Sequence, residues 1–556
     1  MNRIALFLST VLFLWLMALP IAAQVVSADL VIVNANIRTM DAKRTTARSI
    51  AVLNSRIIAI GSAADTKSLI GPNTRVIDAK GKLVLPGFND AHVHFMETGA
   101  QLSSVDLRSA KTPEEFVRRI KDFTAKLPKG RWITGGNWDH ENWTPNDLPT
   151  AAMIDAATPD NPVFVDRLDG HMALANSLAM KLAGVDKNTP DVAGGLIVRD
   201  AAGSPTGIFK DAAMGYISKA VPEDSLEQEL AYVQAASDYA ASFGVTSVQD
   251  MSAGTNVGVY QEMVRQGRLK TRIYGCSPLA DYSRWKNAGL HFSFGGPMLR
   301  VGCLKGYADG SLGSTTAWFF EPYMDAPTTS GIPRAEVSTT MKQNMVDADK
   351  AGLQVTVHAI GDRANATVLD YYENLEKVNG PRDRRYRIEH AQHLRQQDIK
   401  RFGELKVVAS MQPIHLPDDG RWAWKRLDEK RLKGTYAFRT LLATGAVLAF
   451  GSDSPVAPMN PIWGIYAAVS RRTADGKNPN GWIPEQKITV DEAVRAFTYG
   501  SAYAEFQEDV KGTLEMGKLA DMVIISDDIF TIDPVKIADA KVLVTVMDGK
   551  VVYEVH

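Results

Sequence analysis

The sequence predicts an α/β protein: a (β/α)8 TIM barrel with an insertion over its mouth, plus a small β-sandwich built from both chain ends. Three observations lead there. The centre of the chain alternates compact apolar strands with helical stretches, both ends are short and β-rich, and 556 residues allow one large domain and a smaller one.

The ends come first. "DLVIVNANI", "SIAVLNSRIIAIG" and "TRVIDAKGKLVLPG" read as strands separated by turn residues. The style returns in "ADMVIISDD" and "KVLVTVMDGKVVYEV", where Asp548-Gly549 signals a hairpin. Residues 24–84 and 510–556 are therefore assigned to one composite β-sandwich, and 85–509 to the barrel. Within the barrel, "GVTSVQD", "LQVTVHAIGD", "RYRIEHA", "KVVASMQP" and "AVLAFGSDS" are strands, and "SLEQELAYVQAASDYAASFG" is one of the helices between them. The stretch from about 107 to 240 exceeds one strand–helix unit and predicts the insertion.

Composition excludes some partners. The chain is 45% hydrophobic and 22% charged, with 62 Lys and Arg against 63 Asp and Glu, so no strong field exists to hold nucleic acid or an anionic membrane. Arg3, the apolar run from Ile4 to Leu19 and the small residues Ala22 and Ala23 describe a signal peptide over residues 1–23, cleaved after Ala23 or after Ala28. An uncleaved anchor is the alternative, because the run nearly suffices to span a bilayer. The expectation is a periplasmic or secreted protein with no membrane association beyond export. Two cysteines, Cys276 and Cys303, do not make a disulfide scaffold; two buried free thiols are expected, with pairing as the alternative. A homodimer is compatible with the sequence.

The chemistry centres on histidines. "PGFNDAHVHF" places His92 and His94 at a strand end, and residues two apart on a strand face one side, so both imidazoles can converge on one metal ion. Alone, an H-x-H pair is as common across strands or on a surface; here it follows an apolar strand and a Pro86-Gly87 turn. Two more of the ten histidines, His358 and His390, also end apolar strands. Asp453 follows another, and a carboxylate after a buried strand must be paired, bound or catalytic.

These stretches resemble the amidohydrolase superfamily and, within it, the amidohydrolase-3, YtcJ-like branch. "LPGFNDAHVHF", "LKGYADGSLGSTTAWFFEPY", "VTVHAIGDRANATVLDYYE", "RIEHAQ", "SMQPIH", "FGSDSPV" and "GTLEMGKLADMVI" occur in family order from Val84 to Ile524. The resemblance implies His92 and His94 after the first barrel strand, Lys305 after the fourth, His358 after the fifth, His390 after the sixth and Asp453 after the eighth, as ligands for one or two divalent ions. Zinc is expected, and manganese, iron and cobalt suit the same donors. A buried lysine loses proton affinity, so neutral Lys305 can take up carbon dioxide as a metal-bridging carbamate; an ion pair with Asp309 is the other reading.

The implied reaction is hydrolysis of a C–N bond in a small amide, N-acyl or N-formyl substrate. A metal-activated hydroxide attacks, and Asp453 shuttles the proton. Cyclic amides, esters and lactones are alternative substrates for such a site. His171 and His415 match pocket-lining places in the family, with purely structural roles equally open. Asp139, beside Trp138 and Trp143, reads as a lid contact or a packed loop residue, and Asp362 with Arg363 as an ion pair supporting His358. Thr315 stands where relatives often carry arginine, which argues against an anionic substrate.

Overall fold

The computed structural model describes residues 27–555 except 141, 142, 146, 168–171, 193, 194 and 314. The segment read as a signal peptide lies outside the described residues. No helix among the described residues is long and apolar enough to cross a membrane.

Eight parallel strands form the central sheet: β1 Phe88–Val93, β2 Val245–Asp250, β3 Arg272–Pro278, β4 Leu299–Tyr307, β5 Gln354–Ala359, β6 Arg387–His390, β7 Val408–Met411 and β8 Leu448–Phe450. They pair in chain order from β1 to β8. Most of their residues are buried on both faces, as expected of strands filled by a barrel interior on one side and covered by helices on the other. The ring closes just past β8. Asp453 N–H donates to the His92 carbonyl at 2.7 Å, and His94 N–H to the Ser454 carbonyl at 2.8 Å. Gly451 permits this approach, because a Cβ there would lie 2.6 Å from His92 N.

The helix Leu226–Ser242 begins at a Ser225/Gln228 capping box and runs directly into β2. It packs on helix Phe95–Leu102 at Gly99, where a Cβ would sit 1.9 Å from the Tyr232 carbonyl oxygen. The end of the long stretch read from sequence as an insertion thus belongs to the barrel's helical layer. Before it, five strands form a separate sheet in the spatial order Gly195–Arg199, Pro205–Asp211, Met172–Ala175, Val163–Arg167 and Ile133–Trp138. That sheet has its own apolar core around Phe116, Ile133, Trp138 and Val165.

Both chain ends contribute to a further pair of sheets. One joins Leu30–Val33, Ser49–Leu53, Arg56–Gly61 and Arg75–Asp78; the other joins Asn36–Arg38, Thr46–Ala47 and Leu83–Pro86 to Met522–Ile525, Val542–Met547 and Lys550–Glu554. Ile32, Val52, Val84, Ile524 and Val546 share one core. Asp548 and Gly549 both have positive φ, 53° and 73°, as a two-residue hairpin turn requires.

The expectation of two free thiols is corrected. Cys276 on β3 and Cys303 on β4 are buried register partners and form a disulfide. A sequence separation of 27 residues says nothing about register, so only the paired strands bring the two sulfurs together.

The barrel and the terminal sheets are tied by a buried ion pair. Arg272 on β3 reaches Asp521, just before the strand Met522–Ile525, through Nε–Oδ2 and Nη2–Oδ1 contacts of 2.7 and 2.9 Å. Its Nη2 also donates to Asp548 at 2.9 Å. Removing one partner of a buried pair strands the other charge, so Asp521→Ala is expected to lose about 3–5 kcal/mol. The double variant Arg272→Met/Asp521→Leu should recover most of that. Urea midpoints check both, and an unchanged midpoint for Asp521→Ala would refute the assignment.

Candidate active site

All the strand-end groups singled out from the sequence, apart from those in the inserted segment, meet at the C-terminal mouth of the barrel. His92 lies on β1 and His94 just beyond it, with ring centroids 5.6 Å apart. The Asp453 carboxylate, after β8, stands between them: its Oδ1 is 3.4 Å from each Nε2. Candidate ligand atoms of His92, His94 and Asp453 all lie within 4.8 Å of one another. Lys305 on β4 is buried, with Nζ 3.4 Å from His92 Nε2. The His390 ring lies 4.8 Å from that of His92 and 4.5 Å from that of His358. His390 and Asp453 take positive φ values, 72° and 59°, a conformation that costs energy for residues with a Cβ and that clusters at functional sites.

Hydrogen bonds fix how these rings are presented. His92 Nδ1 lies 2.6 Å from Glu389 Oε2 and His390 Nδ1 lies 2.7 Å from Gln412 Oε1, so each ring offers Nε2 to the centre. His358 differs: its Nε2 faces the Gly310 carbonyl at 3.0 Å and Asp309 at 3.4 Å, leaving Nδ1 as its free donor atom. Lys305 and Asp309 do not pair among the described residues. Asp309 instead accepts the backbone N–H groups of Trp318, Ile360 and Gly361 at 2.8–3.0 Å.

Electrostatics sort the groups by charge. Burial, then the Lys305 charge, lowers His92 to about 4. Burial and the neighbouring histidines hold His390 well below its ordinary range. Both rings are therefore neutral at neutral pH, the form that binds a cation. Burial lowers Lys305 to about 8, against the opposing pull of Glu389 and Asp453. For Asp453 burial works upward, but the interactions with the neighbouring His92 and the hydrogen bond from His94 outweigh it and hold the carboxyl well below the usual range. Neutral imidazoles, an ionised carboxylate and a lysine with reduced proton affinity form a donor set that fits a divalent cation.

Above the cluster opens a cavity of about 970 Å³, lined by His92, His94, Lys305, His358, His390 and Asp453 at its base and by Trp422, Trp463 and Tyr466 higher up. His415 also lines it, with Nε2 3.8 Å from Asp453 Oδ2. His171 lies outside the described residues. Asp139 does not line this cavity; it pairs with Arg167 of the inserted sheet at 3.0 Å. Asp362 and Arg363 do not pair either, since neighbours on a helix diverge. Asp362 accepts the Phe320 N–H at 2.9 Å, and the Arg363 guanidinium lies 4.6 Å from the Trp318 ring centroid. At Thr315 a guanidinium arrives from elsewhere in the chain: Arg426 Nη1 donates to Thr315 Oγ1 at 2.5 Å.

Sequence reasoning passed over Glu389. It is fully buried and touches His92, Arg387, Thr356 and Ser410. Its signal was legible: in "RYRIEH" an arginine and a carboxylate two apart share one face of a buried strand, where neither charge is tolerated unpaired.

Comparison with known proteins agrees with this geometry. Residues 75–553 match the model of the amidohydrolase family. The chain is 41% identical to the protein LONG AFTER FAR-RED 3 of Arabidopsis thaliana, covering 95% of this chain and 92% of that one. It is 33% identical to the putative amidohydrolase YtcJ of Bacillus subtilis, over 87% and 91% of the two chains. The N-substituted formamide deformylase of Arthrobacter pascens is 28% identical over 95% and 98%. An uncharacterized metal-dependent hydrolase from Pyrococcus furiosus superposes with a TM-score of 0.74 at 32% identity, covering 91% of this chain and all, 100%, of that structure. The chain therefore belongs to the amidohydrolase family, in its YtcJ-like branch.

Proposed function

We propose that the protein hydrolyses a C–N bond, in an amide, N-acyl or N-formyl substrate, with Asp453 as the proton shuttle. The observation that carries this reading is the Asp453 carboxylate, 3.4 Å from both His92 and His94 at the base of a cavity large enough for a small molecule. The similarity to an N-substituted formamide deformylase along nearly the whole chain supports the choice of bond.

His92, His94, His358, His390 and Asp453 would hold one or two divalent ions, zinc foremost. Lys305, as a carbamate formed from its neutral amine and carbon dioxide with release of a proton, would add two oxygen donors. A divalent ion held by these residues would supply a Lewis acid for the scissile carbonyl and would lower the pKa of water towards ~7. Glu389 accepts from His92 Nδ1 and keeps its Nε2 turned inward. Asp453 takes the proton of the attacking water and returns it to the departing nitrogen, because an amide anion is too basic to leave unprotonated. His415, whose Nε2 lies 3.8 Å from Asp453 Oδ2 in the same cavity, would donate to the oxygen on which charge develops.

We further propose that the protein works outside the cytoplasm after losing its first residues. Arg3, the run Ile4–Leu19 and the Cys276–Cys303 pair support this reading. Intact mass of the extracytoplasmic form should lack at least residues 1–23; a full-length mass there would favour a retained anchor.

Purified protein assayed on an amide, ester and lactam panel, with metal analysis alongside, tests the reaction itself. Asp453→Asn should keep the fold and most of the metal while kcat falls roughly 10²–10⁴-fold. Recovery of near-parent kcat in excess metal would reduce Asp453 to a ligand. Lys305→Ala should lose both metal and activity, a short carboxylic acid should restore part of each, and Lys305→Arg should fail despite keeping the charge. Full metal content and rate in Lys305→Ala would end the carbamate proposal.

A further inference from the structure

A second cavity, of about 650 Å³, lies beside the catalytic one. Thr98 and Gln101 of the helix Phe95–Leu102 line it on one side, and Asn137 and Asp166 of the inserted sheet on another. Its third wall is the segment Ser454–Pro458, of which Val456, Ala457 and Pro458 line the catalytic cavity as well. Ser454 follows directly on Asp453. One short stretch of chain thus carries the catalytic carboxylate and borders both spaces.

Asp166 is the unusual group in this cavity. It is half-buried on the strand Val163–Arg167, and its carboxylate has no hydrogen bond and no ion pair among the described residues. Its neighbour Arg167 is engaged by Asp139 at 3.0 Å. Arg108, on the same cavity wall, is exposed and forms no ion pair with it. Burial alone raises the Asp166 carboxyl to about 6, so it remains mostly ionised at neutral pH. A part-buried anion without a partner costs stability, and such groups normally find a hydrogen-bond donor. Asp166 lines the cavity instead, so its carboxylate is open to a donor that enters from solvent. Asp166 belongs to no cluster of three metal-binding side chains among the described residues, whereas a hard metal ion needs several oxygen ligands. A single carboxylate suits an organic cation.

We propose that this cavity is a second subsite, in which Asp166 binds an ammonium or guanidinium group carried by the substrate. The word substrate rests on the reading of the first cavity as the place of amide cleavage; the cation site does not. Substrates of this class are amides with a basic arm that passes the Val456–Pro458 segment while the scissile bond lies at Asp453.

The test uses the metal-loaded protein and a matched pair, N-(6-aminohexyl)formamide and N-hexylformamide, which differ by one ammonium group. The parent should favour the cationic member in kcat/KM by roughly tenfold or more, as a charge-assisted hydrogen bond in a part-buried site provides. In Asp166→Asn the ratio of the two rates should fall towards one. Because both rates come from the same variant, a general loss of fold cancels, and an unchanged ratio overturns the proposal. Calorimetry with 1,6-diaminohexane supplies a readout free of turnover: the Kd should rise at least tenfold in Asp166→Asn, and equal binding overturns the subsite. If neither formamide is cleaved while diamine binding is lost in the variant, the subsite stands and the amide reading falls. Asp166→Asn should also melt at or above the parent temperature, since it removes an unpaired anion; a Tm several degrees lower would mark a structural role and overturn the proposal.

Discussion

Glu389 has no exposure to solvent, and an uncompensated carboxylate in such a place would cost several kcal/mol. Its compensation comes from four strands at once: Arg387 on its own β6, His92 on β1, Thr356 on β5 and Ser410 on β7. Arg387 in turn donates to the Ala91 carbonyl at 2.7 Å and to Gln249 on β2. Strands distant in sequence are therefore locked by one charge network directly beneath the site. The same network sets the orientation of His92, and through His92 the position of Asp453 and the surroundings of Lys305.

The site stores conformational energy that this frame must hold. His390 and Asp453 adopt left-handed backbone, and Lys305 is buried without a carboxylate in ion-pair contact among the described residues. Such features persist only where the surroundings over-determine them. Here the barrel closure supplies that rigidity, since the Asp453 N–H and the His92 carbonyl are joined and Gly451 leaves room for the two strand ends to meet. Charge placement follows from surroundings: buried His92 and His390 are neutral, whereas the carboxylate of Asp453, between His92 and His94, stays ionised.

The inserted sheet stands apart from this frame because it has its own core. It meets the barrel mouth along the segment after Asp453 and along the first barrel helix, where the second cavity forms. An element with an independent core can change its surface without disturbing the barrel. That is a physical reason why one fold can offer the same barrel mouth to different ligands.

The terminal hairpin and the identities of His92, His94, His358, His390 and Asp453 as strand-end groups were legible in the chain itself, whereas Lys305 entered through the resemblance to the family. Period and turn chemistry are local properties, and a polar residue at the end of an apolar strand is visible without coordinates. The motifs also identified the family, since they occur in order along most of the chain. Which nitrogen each histidine presents, the role of Glu389, the separation of Lys305 from Asp309 and the joining of Cys276 to Cys303 were decided only by the tertiary structure. Each depends on strand register and on which side chains face one another across the barrel, and neither is encoded in local spacing. Asp139 and Arg167 show the same limit from the other side. Asp139, read as a lid contact or a packed loop residue, follows the strand Ile133–Trp138 and pairs with Arg167, 28 positions away on the neighbouring strand.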